Sequence, residues 1–298
     1  MTVSVVIPLY NAKDVVRDTL RSVRAQTLTD YEVVIVDDGS TDGSGDVVQA
    51  AAPWARYLRQ ANAGVAAARN RGIAESHGAY IALLDHDDLW HPTKLAKQAA
   101  VLDERPDVGM AVTDVVHIDR NGRETGEVGV AYNPHDHFAR LFVRGFVPTP
   151  SATLIRRSVF DAVGGLDESF GSAGMDDHEL WTRIAARYAI AHVAEGLTYH
   201  RHHADKPSHI GIEHRGILIE RLLARYGDDL ERQRYLLQER AAYWSDLGRW
   251  YVAEGRVGEG RELLQRGLRA SLGSPPSLKT AWRCLGRLLR SYAVQAKA

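Results

Sequence analysis

Two apolar periods alternate along the first 120 residues. Thr2–Leu9 (TVSVVIPL) and Tyr31–Val36 (YEVVIV) are short runs rich in β-branched residues, the pattern of parallel strands buried on both faces. Between them Val15, Val16, Leu20 and Val23 fall at helical spacing within Asp14–Gln26, which predicts a one-sided helix. The same alternation continues through a short strand in Trp54–Arg59, a small-residue helix in Gly64–Ala74 and an apolar strand starting at Ile81. A helix in Lys94–Leu102 stops before Pro106, and a strand in Val108–Ile118 leads to a turn at Asn121-Gly122. Strand and helix in this order predict an α/β protein with a doubly wound, Rossmann-like sheet. Pro8 is expected to end the first strand.

Beyond residue 120 the alternation weakens. Ser151–Arg156 reads as a strand and Ser158–Val163 as a short helix. A glycine-rich loop from Gly164 to Gly174 precedes a helix whose apolar stripe is Leu180, Trp181, Ile184 and Tyr188. Tyr199–Asp205 reads as a histidine-rich loop, and from Gly211 to the end the chain is all helix. The expected division is 1–210 and 211–298.

Composition excludes several classes. Among 298 residues, 37 Lys and Arg balance 38 Asp and Glu, so a nucleic-acid partner has little support. The lone Cys284 rules out an internal disulfide, and there is no cysteine framework for zinc. No apolar run approaches the ~20 residues of a membrane span. Met1 leads directly into a strand, so the expectation is a cytoplasmic protein.

The candidate chemistry lies where apolar strands run into acids. Ile81–Leu84 passes straight into Asp85, Asp87 and Asp88, and the simplest geometry is a buried strand whose C-terminal end opens into a crevice. Asp176 and Asp177 begin the later helix, where its dipole is expected to keep both ionised. No G-x-G-x-x-G follows any strand, which disfavours dinucleotide oxidoreductases.

Taken together, Val5–Asn11 (VVIPLYN), VDDGSTDGS from Val36, Asn62-Ala63-Gly64 with Ala68-Arg69-Asn70, Leu84–Asp88 (LDHDD), and DDxxLWxR from Asp176 resemble family 2 glycosyltransferases over about residues 2–208. The resemblance implies a GT-A fold whose catalytic domain is 1–210, and inverting transfer of a sugar from a nucleotide diphosphate, UDP-type, to a glycan or lipid-linked acceptor. It implies Asp177 as the general base, with Asp176, Trp181 and Arg183 supporting it on the acceptor side. Asp87 and His202 would hold a divalent cation, Mg²⁺ or Mn²⁺. Pro8, Tyr10, Asn11, Arg69, Asp85 and His86 would contact the donor, and either Asp37 or Asp38 its base. This sequence departs from the family in having Asp176 where glutamate is usual. Asp88 reads as a cap, and Asp42 as the N-cap of the second helix.

In the extension, Trp244–Tyr251 matches the W-x2-L-G-x2-Y signature of a tetratricopeptide helix, with a partner at 258–268; one repeat makes a hairpin rather than an array. Within 277–298, Trp282, Leu285 and Leu289 share one helical face, and Lys279, Arg283, Arg287 and Arg290 another. Two readings stand here: a peripheral contact with anionic lipid at the inner membrane face, or a helix docked on the hairpin. A homodimer is a further candidate. The competing functions are a catalytically silent glycosyltransferase-like scaffold and a sugar nucleotidyltransferase.

Overall fold

The first strand, β1 (Val3–Leu9), is buried at every position, as its continuous apolar run requires. Alternate residues serve opposite faces of the sheet. Val5 and Ile7 join Val16, Leu20 and Val23 of α1 (Val16–Arg24) and Leu95 and Leu102 of α4 (Lys94–Glu104) in one core cluster. Val6 faces a second cluster containing Ile81, Met110, Ile155, Trp181 and Ile184. In this computed structural model residues 2–128, 147–201, 210–272 and 285–288 are described.

The chain divides into two compact units, Met1–Lys206 and Pro207–Ala298. In the first, β1, β2 (Tyr31–Asp37), β3 (Arg56–Arg59) and β4 (Tyr80–Leu83) are mutually parallel, and α2 (Ser44–Ala51) and α3 (Val65–Ala74) connect them. The sheet continues through β8 (Thr153–Arg156), β6 (Val108–Ile118), β9 (Ala189–Arg201) and β5 (Leu89–Trp90) in the order β3-β2-β1-β4-β8-β6-β9-β5, and β7 (Glu124–Val128) makes a hairpin with β6. Helices α5 (Arg157–Val163) and α6 (Asp176–Ala185) complete the unit. This is the expected doubly wound mixed sheet. The small residues of α3 let it approach closely, since a Cβ on Gly72 would lie 2.4 Å from Val6 Cγ1.

Two sequence expectations are corrected here. Pro8 does not end β1, which runs one residue further and keeps Pro8 paired with Val36. Tyr199, His200 and Arg201 are not loop but the end of the 13-residue strand β9. That strand runs parallel to β6 with register shifts beside Thr113 and Asp114, and its end pairs antiparallel with β5.

In the second unit α7 (Ile210–Tyr226), α8 (Leu230–Ala253) and α9 (Val257–Leu272) follow one another. Asp229 caps α8 by accepting the Arg232 N–H at 3.0 Å. The tetratricopeptide-like stretch lies within α8, which crosses α9 at paired glycines: a Cβ on Gly248 would stand 2.7 Å from the Gly260 carbonyl oxygen, and one on Gly260 2.6 Å from that of Gly248. Arg287 donates to Ser245 Oγ at 2.8 Å and Asp246 Oδ1 at 2.6 Å, so this basic residue is held against the hairpin. Lys279, Trp282, Arg283, Leu289 and Arg290 lie outside the described residues. Among the described residues no helix is long and apolar enough to cross a membrane.

Candidate active site

The sheet order places the topological switch between β1 and β4, where a crevice opens in folds of this kind. The residues there show why the two strands part. Their ladder ends with the Leu84 N–H donating to the Val6 carbonyl at 3.0 Å. Two residues along β1, on the same side, stands Pro8, which has no N–H to give. Its carbonyl is taken instead by His86 Nδ1 at 3.1 Å. A carbonyl only accepts, so His86 carries a proton on Nδ1. Pro8 and His86, both expected at the donor pocket, thus stand together where β1 and β4 part.

The loop after β1 is tied to the loop after β2. Asn11, at φ +47°, accepts the Thr41 N–H at 2.9 Å and donates its own N–H to Ser40 Oγ at 3.1 Å. Tyr10 beside it is 46% exposed. Asp37 and Asp38 are both buried and do different work. Asp37 accepts the Ser40 N–H at 2.7 Å and the Tyr57 hydroxyl, whose pKa is raised by burial and by that carboxylate. Asp38 accepts from Gln60 Nε2 at 2.8 Å, Ala63 N–H at 2.9 Å and Gly64 N–H at 2.8 Å, which fixes the entry to α3. Asp42 accepts the Ser44 N–H at 2.9 Å from one residue before the N-cap, which is Gly43 rather than Asp42.

Arg69 of α3 is 5% exposed and joins two distant segments. Its Nη2 donates to Asp85 Oδ1 at 2.6 Å and its Nη1 to Asp176 Oδ2 at 3.1 Å, while Nε is buried without a partner. Although burial opposes the charge, Asp85 and Asp176 hold the guanidinium protonated. Expected as a donor contact, Arg69 has both ends of its fork on carboxylates of the chain.

Asp88 is not a cap. It is fully buried, accepts the Arg201 N–H at 2.9 Å and the Thr149 hydroxyl at 3.3 Å, and its pKa is pushed well up by burial and by the charges of Asp85 and Asp87. That concentration of negative charge, on hard oxygen donors, fits a divalent cation such as Mg²⁺ or Mn²⁺. Asp87 is the described group that would hold it.

Arg201, which the sequence reading passed over, locks this corner. Buried at 3% exposure, it donates from Nε to the Asp87 carbonyl at 2.9 Å and from Nη1 to the carbonyls of Asp119 at 3.2 Å and Arg120 at 2.8 Å. No periodic or motif signal marks it in the sequence. The His200 ring lies 5.7 Å from that of His117; His202 lies outside the described residues.

On the other side of Arg69, α6 begins after Met175, a non-glycine residue at φ +103°. Such backbone is costly and is found where surrounding structure fixes it. Asp176 follows, 1% exposed, and burial pushes its carboxyl up to about 6 against the pull of Arg69, with Asp177 adding to the rise. At Asp176 desolvation opposes the helix dipole, so this acid ionises only as pH rises through about 6 and is mostly ionised at neutral pH. At Asp177 burial also opposes charge, but His178, which donates its N–H at 2.7 Å, and Arg69 outweigh it and hold the carboxyl at about 2. Asp177 is thus ionised across the neutral range.

Trp181 and Arg183, expected to support the base on the acceptor side, are both buried. Trp181 is fully buried in the second core cluster, on the stripe it shares with Leu180 and Ile184. Arg183, 5% exposed, grips Glu179 at 2.9 Å and 2.8 Å and donates to the carbonyls of Val163 at 2.5 Å and Gly165 at 2.6 Å. It anchors α6 to the loop after α5.

The family model for glycosyl transferase family 2 matches residues 4–164. An uncharacterized glycosyltransferase of Nostoc sp. is 31% identical over 281 residues, covering 85% of this chain and 86% of that protein. The uncharacterized glycosyltransferase YibD of Escherichia coli is 42% identical over 128 residues (42% of this chain, 36% of YibD). TuaG of Bacillus subtilis, a putative teichuronic acid biosynthesis glycosyltransferase, is 43% identical over 108 residues (35% and 42%). The matches span less than half the length of YibD and of TuaG. Among solved structures, S. aureus TarS 1-349 in complex with UDP-GlcNAc is similar at a TM-score of 0.69 and 17% identity, covering 98% of this chain and 89% of that one. A parallel β1–β4 half-sheet with its switch point between β1 and β4 and these matches agree: the chain belongs to glycosyl transferase family 2 and has the GT-A fold.

Proposed function

We propose that this chain moves a sugar from a UDP-type nucleotide diphosphate to a hydroxyl of a glycan or lipid-linked acceptor, by single displacement with inversion and with a divalent cation at Asp87. The observation carrying this reading is the Arg69 clamp, which ties Asp85 of the acidic strand end to Asp176, next to Asp177. The similarity to S. aureus TarS 1-349 in complex with UDP-GlcNAc supports the donor class.

In this reading Asp177 accepts the proton of the acceptor hydroxyl as its oxygen attacks the anomeric carbon, and the bond from that carbon to the diphosphate breaks with both electrons leaving on the nucleotide. Asp85 faces the ribose or sugar of the donor, and Arg69 keeps it in register with α6. Arg201 fixes the Asp87 backbone. When bound, the cation would offset charge developing on the leaving diphosphate. His86 and Tyr10 line the donor mouth.

The test is a thermal-shift panel of nucleotide sugars with and without Mn²⁺. A metal-dependent rise with one donor is expected and would identify nucleotide and sugar together. Absence of any shift across the panel would sink the reading in favour of a silent scaffold. For the membrane-facing part of the proposal, liposome co-sedimentation unchanged by removal of residues 277–298 would count against a lipid contact there.

A further inference from the structure

A second concave site lies at the other end of the parallel strands. It is a groove of about 620 Å³ lined by Arg24, Gln26, Tyr31, Glu32, Trp54 and Arg56, among others, within the range of small-molecule sites. Tyr31 and Arg56 open β2 and β3; the crevice lies at the strands' opposite ends, and β2 alone spans roughly 20 Å.

The groove has an aromatic wall and an unmatched charge. Trp54 is 37% exposed, an apolar surface the fold leaves in water. The Arg24 guanidinium lies 5.4 Å from the Trp54 ring centre, and among the described residues no carboxylate pairs with it. The other charges are spoken for. Arg56 is bound to Glu75 through the carboxylate and, at 2.7 Å, the carbonyl. Glu32 accepts Ser4 Oγ at 2.7 Å and the Gly78 N–H at 3.2 Å, so it turns towards the core of the sheet edge rather than neutralising Arg24. What remains is an exposed indole with a guanidinium over its ring, a pairing suited to a ligand with an apolar ring face and a carboxylate.

We propose that this groove binds an acidic saccharide, with a uronate carboxylate on Arg24 and the face of a sugar ring on Trp54. The binding claim stands on the groove alone and not on the transfer chemistry proposed above. If both hold, the occupant is an acidic acceptor chain gripped away from its reacting end.

The experiment is isothermal titration of the full chain with trigalacturonate, with maltotriose as the neutral control. Saturable one-site binding of trigalacturonate is expected, at least five-fold weaker for maltotriose. Trp54→Ala and Arg24→Gln should each weaken it at least five-fold, and Trp54→Phe should restore most of the loss. Both side chains lie at the surface, and an unchanged melting temperature checks that the variants fold. No saturable binding, equal binding of the neutral sugar, or affinity unchanged in both variants would overturn the proposal. A UDP thermal shift measured in parallel separates the two sites: trigalacturonate binding without any nucleotide shift would leave the groove standing while the transfer reading fell.

Discussion

Asp176→Asn tests the electrostatics of the crevice most directly. In the folded chain burial raises the Asp176 carboxyl from 3.8 to about 6, and each tenfold change in proton affinity is worth about 1.4 kcal/mol. The sign follows from linkage. Below about pH 4 both states hold the proton and the acid costs nothing. Between 3.8 and about 6 the unfolded chain releases its proton while the folded chain keeps it, so wild-type stability falls as pH rises. Above about 6 the loss levels off near 3 kcal/mol, an order-of-magnitude figure. Asparagine does not titrate, yet it keeps an oxygen for Arg69 Nη1, which stands 3.1 Å from the present carboxylate. The stability difference, variant minus wild type, should therefore grow by about 3 kcal/mol from pH 4 to pH 8. With a urea dependence of about 2–3 kcal/mol per molar, the midpoints should separate by a further ~1–1.5 M. Urea titrations at half-unit pH steps measure this, and shared titrations such as Asp88 cancel in the difference. A gap that stays constant, or that moves against the variant as pH rises, would mean the Arg69 ion pair outweighs desolvation and would refute the reasoning.

Asp177→Asn should lower turnover ~10²- to 10⁴-fold while the thermal shift with donor persists; turnover within a few-fold of wild type would remove Asp177 as the base. Gly72→Ala should destabilise by ~1–2 kcal/mol in urea, because a Cβ 2.4 Å from Val6 Cγ1 forces α3 off the sheet and outweighs the helix preference of alanine. A higher midpoint would show that the contact yields freely. Arg183→Gln should cost ~3–5 kcal/mol by leaving Glu179 buried and unpaired. A normal urea midpoint with a raised acceptor KM would return Arg183 to the acceptor side.

The parts of this fold that could be read from sequence are those whose burial is recorded in consecutive residues. β1, β2 and β6 are covered on both faces, so their apolar runs announce them. The end of β9 reads as loop because Glu195-Gly196 and then Tyr199-His200-Arg201 break the apolar pattern. It is strand because β6 and β5 flank it, a pairing no local window contains. Asp85, Asp87, Asp176 and Asp177 could be picked out by motif, but their protonation could not, since the same residue type is held at about 6 in one position and at about 2 in the next. Asp88 and Arg201 were beyond reach for a related reason: a carboxylate after a strand looks solvated until the partner that buries it is known. Trp181 and Arg183 travel with a catalytic-looking motif, yet their helical period turns them into the core.

The parting of β1 and β4 also bears on which changes of chain length this site tolerates. Leu84 is fixed to β1 by the last ladder bond, and Asp88 is fixed to β9 through the Arg201 N–H. Residues 85 to 87 form a span pinned at both ends, with the Asp87 carbonyl gripped again by Arg201. Side chains along that span can be exchanged without disturbing any strand pairing, but one residue inserted or deleted would shift Asp87 against both moorings at once. Drift in this lineage is therefore expected to hold the count from Leu84 to Asp88 constant.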